Sequence, residues 1–573
     1  MGKFNLLDES WLSVVLDETG TTKEVSLREV FKNAHLYKDL AGDTKTQDFA
    51  VLRVLLAVLH TVFSRFDAHG NVYGCLEVDD RLIQVAEIDE EDIEEHTEDL
   101  YDTWFALWEK QQFPEIVATY LEKWRDRFYL FDEEYPFFQV RKQDISADKI
   151  SGGTKGTSVY GKNINRLISE SENKVALFSP KHEASKNNLT SAEIARWLIT
   201  FQGYTGLSDK VIFGKQKYKT SKGWLFDLGA VYFAGRNLFE TLMLNFALVH
   251  KEYDNLYHIQ RPCWEYNAGE IIANCFDGNH MDNLAGLYTA WSRGIYVEKD
   301  IDFALFHFNT VKLPDMNHVD NFLEPMTIWK YNERGENKNK YTPRKHQQNK
   351  AMWRSFGLIT GCDSYSLGRE HRKPGLIEWL LDIKNIYGQN GKKFEEQNIA
   401  ICAISMQDDG KAMSWVPTDE IIDSLIMKDF VLTDLKENGW VIRINEVIED
   451  TKKVIGFIYK KYIADIKEIR NISSDLFISQ KVEEVYFTID NPFRTWLSGI
   501  QPGDEKEKKI MEWKTILKEL VQNQARAILY NAAPRDYMGI IVGEDVKNIA
   551  TAYNTFSYRL NKELKPEGGD HAN

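Results

Sequence analysis

Cysteine is scarce in this chain and poorly spaced for structural use. Cys75, Cys263, Cys275, Cys362 and Cys402 are scattered through 573 residues. No CxxC pair occurs, so a zinc ribbon is excluded, and an odd, dispersed set gives no disulfide frame. Long hydrophobic runs are also lacking. No uninterrupted apolar stretch reaches the roughly 18–20 residues of a membrane span. The opening MGKFNLLDESW has no basic-then-apolar signal pattern. The expectation is a cytoplasmic protein with no membrane partner.

Catalytic signatures are missing as well. GGTKGTS at 152–158 and FGKQ at 213–216 break the spacing of a phosphate-binding loop and read as flexible loops. There is no HExxH, no His-x-Glu partnered with PCxxC, and no GxSxG elbow. His182, His280, His307 and His318 stand alone, without a second ligand at helical or hairpin spacing. The adjacent carboxylates Asp408 and Asp409 could bind a metal, but 87 acidic residues make such pairs common by chance. No enzyme activity, metal or cofactor is expected.

Positive charge is in deficit overall, with a net charge of −16. A protein that coats nucleic acid over its whole surface is thereby excluded. A local basic groove is not, because salt confines each charge's influence to about 8–10 Å. The acidic stretch Glu87–Asp102 reads as a solvated face turned away from any polyanion.

What is present is core material. Apolar residues make up 43% of the chain and aromatics 13%, enough for two or more folded domains. FNLLDESWLSVVLD reads as a small β unit ending in a turn at Glu18-Thr19-Gly20, and Ser26 with Glu29 forms a capping box for the next helix. Ala50–Phe63 is apolar around most of its circumference, as in a helix buried on all sides. An amphipathic helix around Pro114–Arg127 leads into the strand-like FYLFDEEYPFFQV. Residues 143–192 are polar and long for a loop. From about 193 to 430 the short β-like runs VIFGKQKY, IYVE, FALFHF and NIAICAISM alternate irregularly with helices, which predicts α+β rather than a doubly wound sheet.

Beyond about 440 the periodicity becomes helical. Ile510, Trp513, Leu517, Leu520 and Ala527 make one seam, with Gln524 its polar exception. Val546, Ile549, Tyr553, Phe556 and Leu560 make a second, and Ile444, Val447, Thr451, Val454, Ile458 and Tyr462 a third. A shorter run from Ile478 to Ile489 ends at Pro492. The expectation is an α+β domain over 1–435, large and irregularly mixed, followed by an all-α four-helix bundle over 436–573.

Three stretches concentrate cations: Lys149–Lys162 with Lys181 and Lys186; Lys210–Lys222; and Lys330–Arg354, followed by Arg369, Arg372 and Lys373. On a strand, Lys215, Lys217 and Lys219 would share one face. Any one stretch is equally well a solubilising loop. Three of them between 149 and 375 favour a localised groove that neutralises phosphates.

Several strings then resemble the CasA family, the large subunit of type I-E CRISPR Cascade complexes. In order they are FNLLDESWLSV, VSLREVF, LLAVLH, YPFFQV, SAEIARWL, EPMTIW, ISMQDDGKAMSW and RLNKELKPEGG, from Phe4 to Gly569. The resemblance implies a non-catalytic subunit beside the 5′ handle of the CRISPR RNA. It also implies contacts with double-stranded target DNA, other Cascade subunits and a Cas helicase-nuclease. Such a subunit reads a protospacer-adjacent motif (PAM) and starts strand separation, while base pairing reads the rest.

Residue by residue, the family's glycine loop at the PAM minor groove matches Gly203, Tyr204, Thr205 and Gly206, which equally read as a helix C-cap and turn. The wedge hairpin matches Asp408, Asp409, Gly410 and Lys411, which equally read as a tight turn. Asp409 stands where the family has glutamine, and its carboxylate would repel phosphates, so either the wedge is differently composed or Lys411 is its leading group. The RNA-handle contact matches Leu177 and Phe178, and a PAM-contacting lysine aligns near Lys312. The two turns are expected on one exposed cationic face with Lys215, Lys217 and Lys219. A scaffold subunit without DNA contact, and a nuclease using Asp408 and Asp409, are the rival readings.

Overall fold

The computed structural model describes residues 2–152, 155–164, 181–249, 258–278, 282–362, 372–389, 398–411 and 417–565. The chain divides into two compact units. One comprises Met1–Gln348, Glu370–Phe394 and Ile401–Ser424, and the other Asn349–Arg369, Glu395–Ala400 and Leu425–Asn573. The division is thus not a single cut near 435, because the second unit also takes two upstream segments.

The first unit mixes helices with short sheets. Leu12–Val15 pairs with Thr22–Val25 and Asp39–Leu40. Gly20 closes the intervening turn at φ +80, a conformation that favours glycine. Ser26 caps the helix Leu27–Asn33 by accepting the Glu29 N–H at 3.2 Å.

Helix Lys45–Phe63 is the centre of this unit. Every residue but Lys45 is buried, and it packs against Ser191–Tyr204, Leu284–Tyr288, Leu238–Asn245 and Ile116–Lys123. By length and composition it could cross a membrane, but here it is enclosed by protein. Two buried arginines, one on this helix and one just after it, are paired with buried acids. Arg53 meets Glu324, which also accepts the Trp224 indole N–H at 2.7 Å, and Arg65, just past the helix end, forms a two-pronged pair with Glu265 at 2.9 and 3.0 Å. Such forks satisfy both charges away from water.

The acidic stretch begins helix Ile93–Lys110, whose other side buries Trp104 and Trp108 in a stacked pair 5.3 Å apart. The amphipathic helix expected around 114–127 is Ile116–Lys123 with a 3₁₀ turn at Arg125–Arg127. Of FYLFDEEYPFFQV, Tyr129–Phe131 is strand. A three-stranded antiparallel sheet runs Thr157–Tyr160, His307–Lys312, Arg293–Tyr296. Another orders Pro417–Lys428, Asn398–Asp408 and Ala230–Ala234.

The second unit is dominated by long helices. Trp440–Lys453, the π turn Val454–Tyr459 and Lys460–Ile469 run on continuously, followed by Leu476–Ser498, Lys506–Tyr530 and Ile549–Glu563. Three seam details differ from expectation. In Lys506–Tyr530 the buried residues are Ile510, Trp513, Leu517, Val521 and Ala525, with Leu520 half-buried and Ala527 exposed. Steps of four keep one face of a 3.6-residue helix better than the expected jump to 520 and 527.

Val546 belongs to the small strand Asp545–Lys547, not to the last helix, whose buried face is Ile549, Ala552, Phe556 and Leu560. Pro492 does not end its helix, which continues to Ser498. Packing holds the turn on both sides of the proline. Asp490 accepts the Trp353 indole N–H at 2.8 Å, and Phe493 stacks on Trp353 at 4.5 Å. These contacts compensate the backbone hydrogen bond a proline forfeits.

Candidate nucleic-acid interface

Residues 203–206 are a helix end, not an exposed turn. Gly203 and Tyr204 close helix Ser191–Tyr204, which starts from a capping box of Thr190 and Glu193. Tyr204, Thr205 and Gly206 are buried. A Cβ at 203 would fall 2.8 Å from Leu225 Cδ1, so Leu225 packs into the space that the glycine leaves.

The segment is clamped by Arg293, itself fully buried, which donates to Gly206 O at 2.5 Å, Ser221 O at 2.6 Å and the Asp209 carboxylate at 2.8 and 3.1 Å. Gln202 adds to the clamp, its amide oxygen accepting the N–H groups of Ser292 and Arg293. The expectation of an openly presented glycine loop is therefore corrected. These carbonyls already have partners because the segment ends a core helix.

Lys312 is likewise turned inward. It is 8% exposed, donates to Leu207 O at 2.9 Å, and lies 3.7 Å from Asp209. Burial pushes its ammonium below the usual lysine range, with Asp209 opposing that shift. In this structure no phosphate could reach it.

In the 408–411 turn Gly410 and Lys411 are exposed, while Asp408 and Asp409 are half-buried. Gly410 has φ +68, the left-handed region that favours glycine, and its N–H donates to Asp408 Oδ1 at 3.0 Å. Asp409 Oδ1 accepts the Lys411 N–H at 3.2 Å. Asp408 is paired with Lys345 at 3.0 Å, so one of the two tip carboxylates is already neutralised. Asp408 and Asp409 belong to no three-residue metal cluster of His, Cys, Asp or Glu among the described residues.

The roots of the two turns meet around a cavity of about 370 Å3. Tyr204, Thr205 and Gly206 line one part of its wall, and Met406, Pro417 and Glu420 another. The 204–206 segment thus shares a cavity wall with the strands that flank the 408–411 turn, while residues 408–411 themselves do not line it.

Lys215, Lys217 and Lys219 do not lie on a strand. They are exposed in an irregular loop, and Lys219 pairs with Asp315 at 2.6 Å. The more ordered cationic surface is the hairpin Trp329–Asn332/Lys340–Pro343. Its register places Asn332 opposite Lys340, and Lys330, Arg334, Lys338 and Lys340 are all exposed. Leu177 and Phe178 lie outside the described residues.

Sequence reasoning did not single out Arg293 or Glu420. A lone arginine in SRGIY and one glutamate among many carry no spacing signal, and both act on partners far away in the chain.

Comparison with known proteins gives a concordant result. The family model described as CRISPR-associated protein Cse1 matches residues 5–524. A Thermus thermophilus protein, "CRISPR-associated protein CasA/Cse1", is 29% identical over 269 residues, which is 46% of this chain and 42% of that protein, so the match spans less than half of the relative's length. The crystal structure of Thermobifida fusca Cse1 superposes with a TM-score of 0.77 at 26% identity, covering 98% of both chains. A chain from a structure titled "CRISPR RNA-guided surveillance complex" shares the fold at a TM-score of 0.63 and 16% identity, over 98% of this chain and 100% of that one. With roughly nine-tenths of its length matched, the chain belongs to the CRISPR-associated protein Cse1 family, also called CasA.

Proposed function

We propose that this chain is the non-catalytic large subunit of a type I-E CRISPR RNA-guided surveillance complex. In this reading its first unit recognises the PAM on double-stranded DNA and helps start strand separation. It also holds the CRISPR RNA 5′ handle. The C-terminal helices form a four-helix bundle that joins other Cascade subunits, and the chain provides the docking surface for the Cas helicase-nuclease.

The observation that carries the proposal is likeness over 98% of the chain to a subunit of a CRISPR RNA-guided surveillance complex. Supporting it, the buried 204–206 segment borders one cavity with Met406 and Pro417, which lie on the strands flanking the 408–411 turn. For the 204–206 backbone to meet a base edge, DNA must enter through that cavity. A minor groove about 6 Å wide accepts little more than backbone.

The test is assembly with a CRISPR RNA-bound Cascade backbone, followed by gel shifts on duplexes differing only in the PAM. Tight binding that depends on the PAM is expected, and indifference to the PAM overturns the reading. A second reading, a scaffold without DNA contact, is favoured by one observation, the inward commitment of Gly206 O and Lys312. Under it, reversing the charges of Lys215, Lys217 and Lys219 leaves DNA binding by the complex unchanged.

A further inference from the structure

The 408–411 tip carries two adjacent carboxylates where the proposed function requires approach to phosphates. How the first of them is held follows from the backbone beside it. A Cβ on Gly229 would fall 1.9 Å from Arg344 O, so residues 344–346 lie directly against 228–230. His346 N–H donates to Ser405 Oγ at 3.0 Å, and that hydroxyl donates to Leu228 O at 3.0 Å. The stretch is thereby fixed between the start of strand Ala230–Ala234 and strand Asn398–Asp408.

Lys345 then has a defined place. Its ammonium lies 3.0 Å from Asp408, 3.9 Å from Asp227 and 4.2 Å from the centre of the Phe226 ring. Asp227 also takes Lys222 at 2.6 Å. The next residue, Gly223, donates its N–H to Thr205 O at 3.0 Å, and a Cβ there would fall 2.2 Å from Gly203 O. One contiguous set of contacts therefore runs from the 203–206 helix end through Gly223, Lys222, Asp227 and Lys345 to Asp408.

We propose that Lys345 is a positioning residue for PAM reading: it neutralises Asp408, fixes the 408–411 tip, and couples that tip through Asp227 and Lys222 to the 203–206 segment. The inference rests on the proposed function above. It explains how a tip with two carboxylates can face a polyanion, since the cation that cancels one of them is built into the wall beneath. The test measures that coupling directly.

The assembled complex is compared as parent, Lys345→Met, Lys345→Arg and Asp227→Asn, on two DNA substrates. One is a duplex with either the preferred or a scrambled PAM, and the other is the same target already opened as a bubble. Discrimination between PAMs should fall by at least about fivefold in K345M. Bubble binding should change less than discrimination does. K345R should restore discrimination, and D227N should lower it by less than K345M. Melting temperature and assembly are followed on the same samples. If K345M does not assemble, Asp408→Ala removes the same bond from the tip and should lose discrimination in its place.

The proposal is overturned if K345M, or D408A in its place, discriminates as the parent does. It is also overturned if duplex and bubble binding fall together, since that marks a merely structural role. A parent complex with no PAM preference overturns the underlying function itself, which separates the two failures.

Discussion

Glu420 holds the N-terminus of the central helix from 374 residues away: its carboxylate accepts the Thr46 N–H at 2.9 Å and the Lys45 N–H at 3.3 Å. Thr44 satisfies the next donor, accepting the Gln47 N–H at 3.0 Å. The first amides of a helix have no partner within it and carry partial positive charge, so a carboxylate there is stabilising. Glu420 sits on strand Pro417–Lys428, which pairs with the strand carrying Asp408. The proposed wedge is therefore tied to the central helix of its unit.

Replacing Glu420 with alanine should loosen that junction locally. Loss of such a cap costs about 0.5–2 kcal/mol. Hydrogen exchange of the Lys45 and Thr46 amides should accelerate by roughly 5–30-fold, the factor that corresponds to 1–2 kcal/mol. Unchanged exchange at both amides would mean that the carboxylate is not their partner in solution.

Arg65→Ala should be among the most damaging single changes in the first unit. It leaves the buried Glu265 with the Tyr120 hydroxyl, which donates to it at 2.6 Å, and the Arg261 guanidinium at 4.0 Å. Breaking a buried pair from one side costs about 3–5 kcal/mol. Glu265 outweighs the burial that opposes the charge on Arg65, holding that arginine above its usual range, while burial and Glu265 together push Tyr120 well up. Thermal or urea unfolding of R65A that matches the parent would refute this account.

Much of this fold was legible from pattern, and the misses share a cause. Ser26, Gly20 and the all-round apolar run at 50–63 announce local structure, and each lies where its local chemistry requires. Pro492 misled because local propensity says break, while Trp353, more than a hundred residues upstream, holds the helix together.

The site was harder to read. Gly203 looks like a turn glycine in sequence, yet its missing side chain makes room for Leu225. Lys312 looks like any surface cation, and only tertiary structure supplies Asp209 and Leu207 as its partners. Charge identity is local information, but whether a charge faces water is not.

Acid should destabilise the first unit through its buried histidines. Burial lowers His60 to about 3 and His96 to about 4, whereas an unfolded histidine titrates near 6.5. Below pH 6.5 the unfolded chain therefore binds protons that the folded chain refuses. The stabilisation is complete above that pH and is lost progressively as pH falls toward 4 and 3. Each histidine contributes a slope of about 1.4 kcal/mol per pH unit within that window. His60 lies between the rings of Phe246 and Tyr288, so His60→Phe keeps an aromatic there. It should flatten the dependence of urea midpoints between pH 6 and 5 by about one proton. A slope identical to the parent's would show that His60 is not held neutral.

The cationic surfaces should separate by salt dependence. Each phosphate left without its cation makes the slope of log K against log salt shallower by about 0.9 on duplex DNA. Lys330, Arg334, Lys338 and Lys340 are exposed on and around one hairpin, so replacing all four with glutamine should reduce the slope of the assembled complex by roughly 2–4. Lys312→Met should leave the slope unaltered, because that ammonium is already committed to Leu207 O and Asp209. The comparison is made at matched complex concentration, with melting temperatures checked, since K312M also strips Asp209 of one of its two cations. An unaltered slope in the fourfold variant would remove this hairpin from the interface. A slope change in K312M as large as a surface lysine gives would mean that the lysine swings outward when DNA arrives, and that the cavity beside Gly206 opens with it.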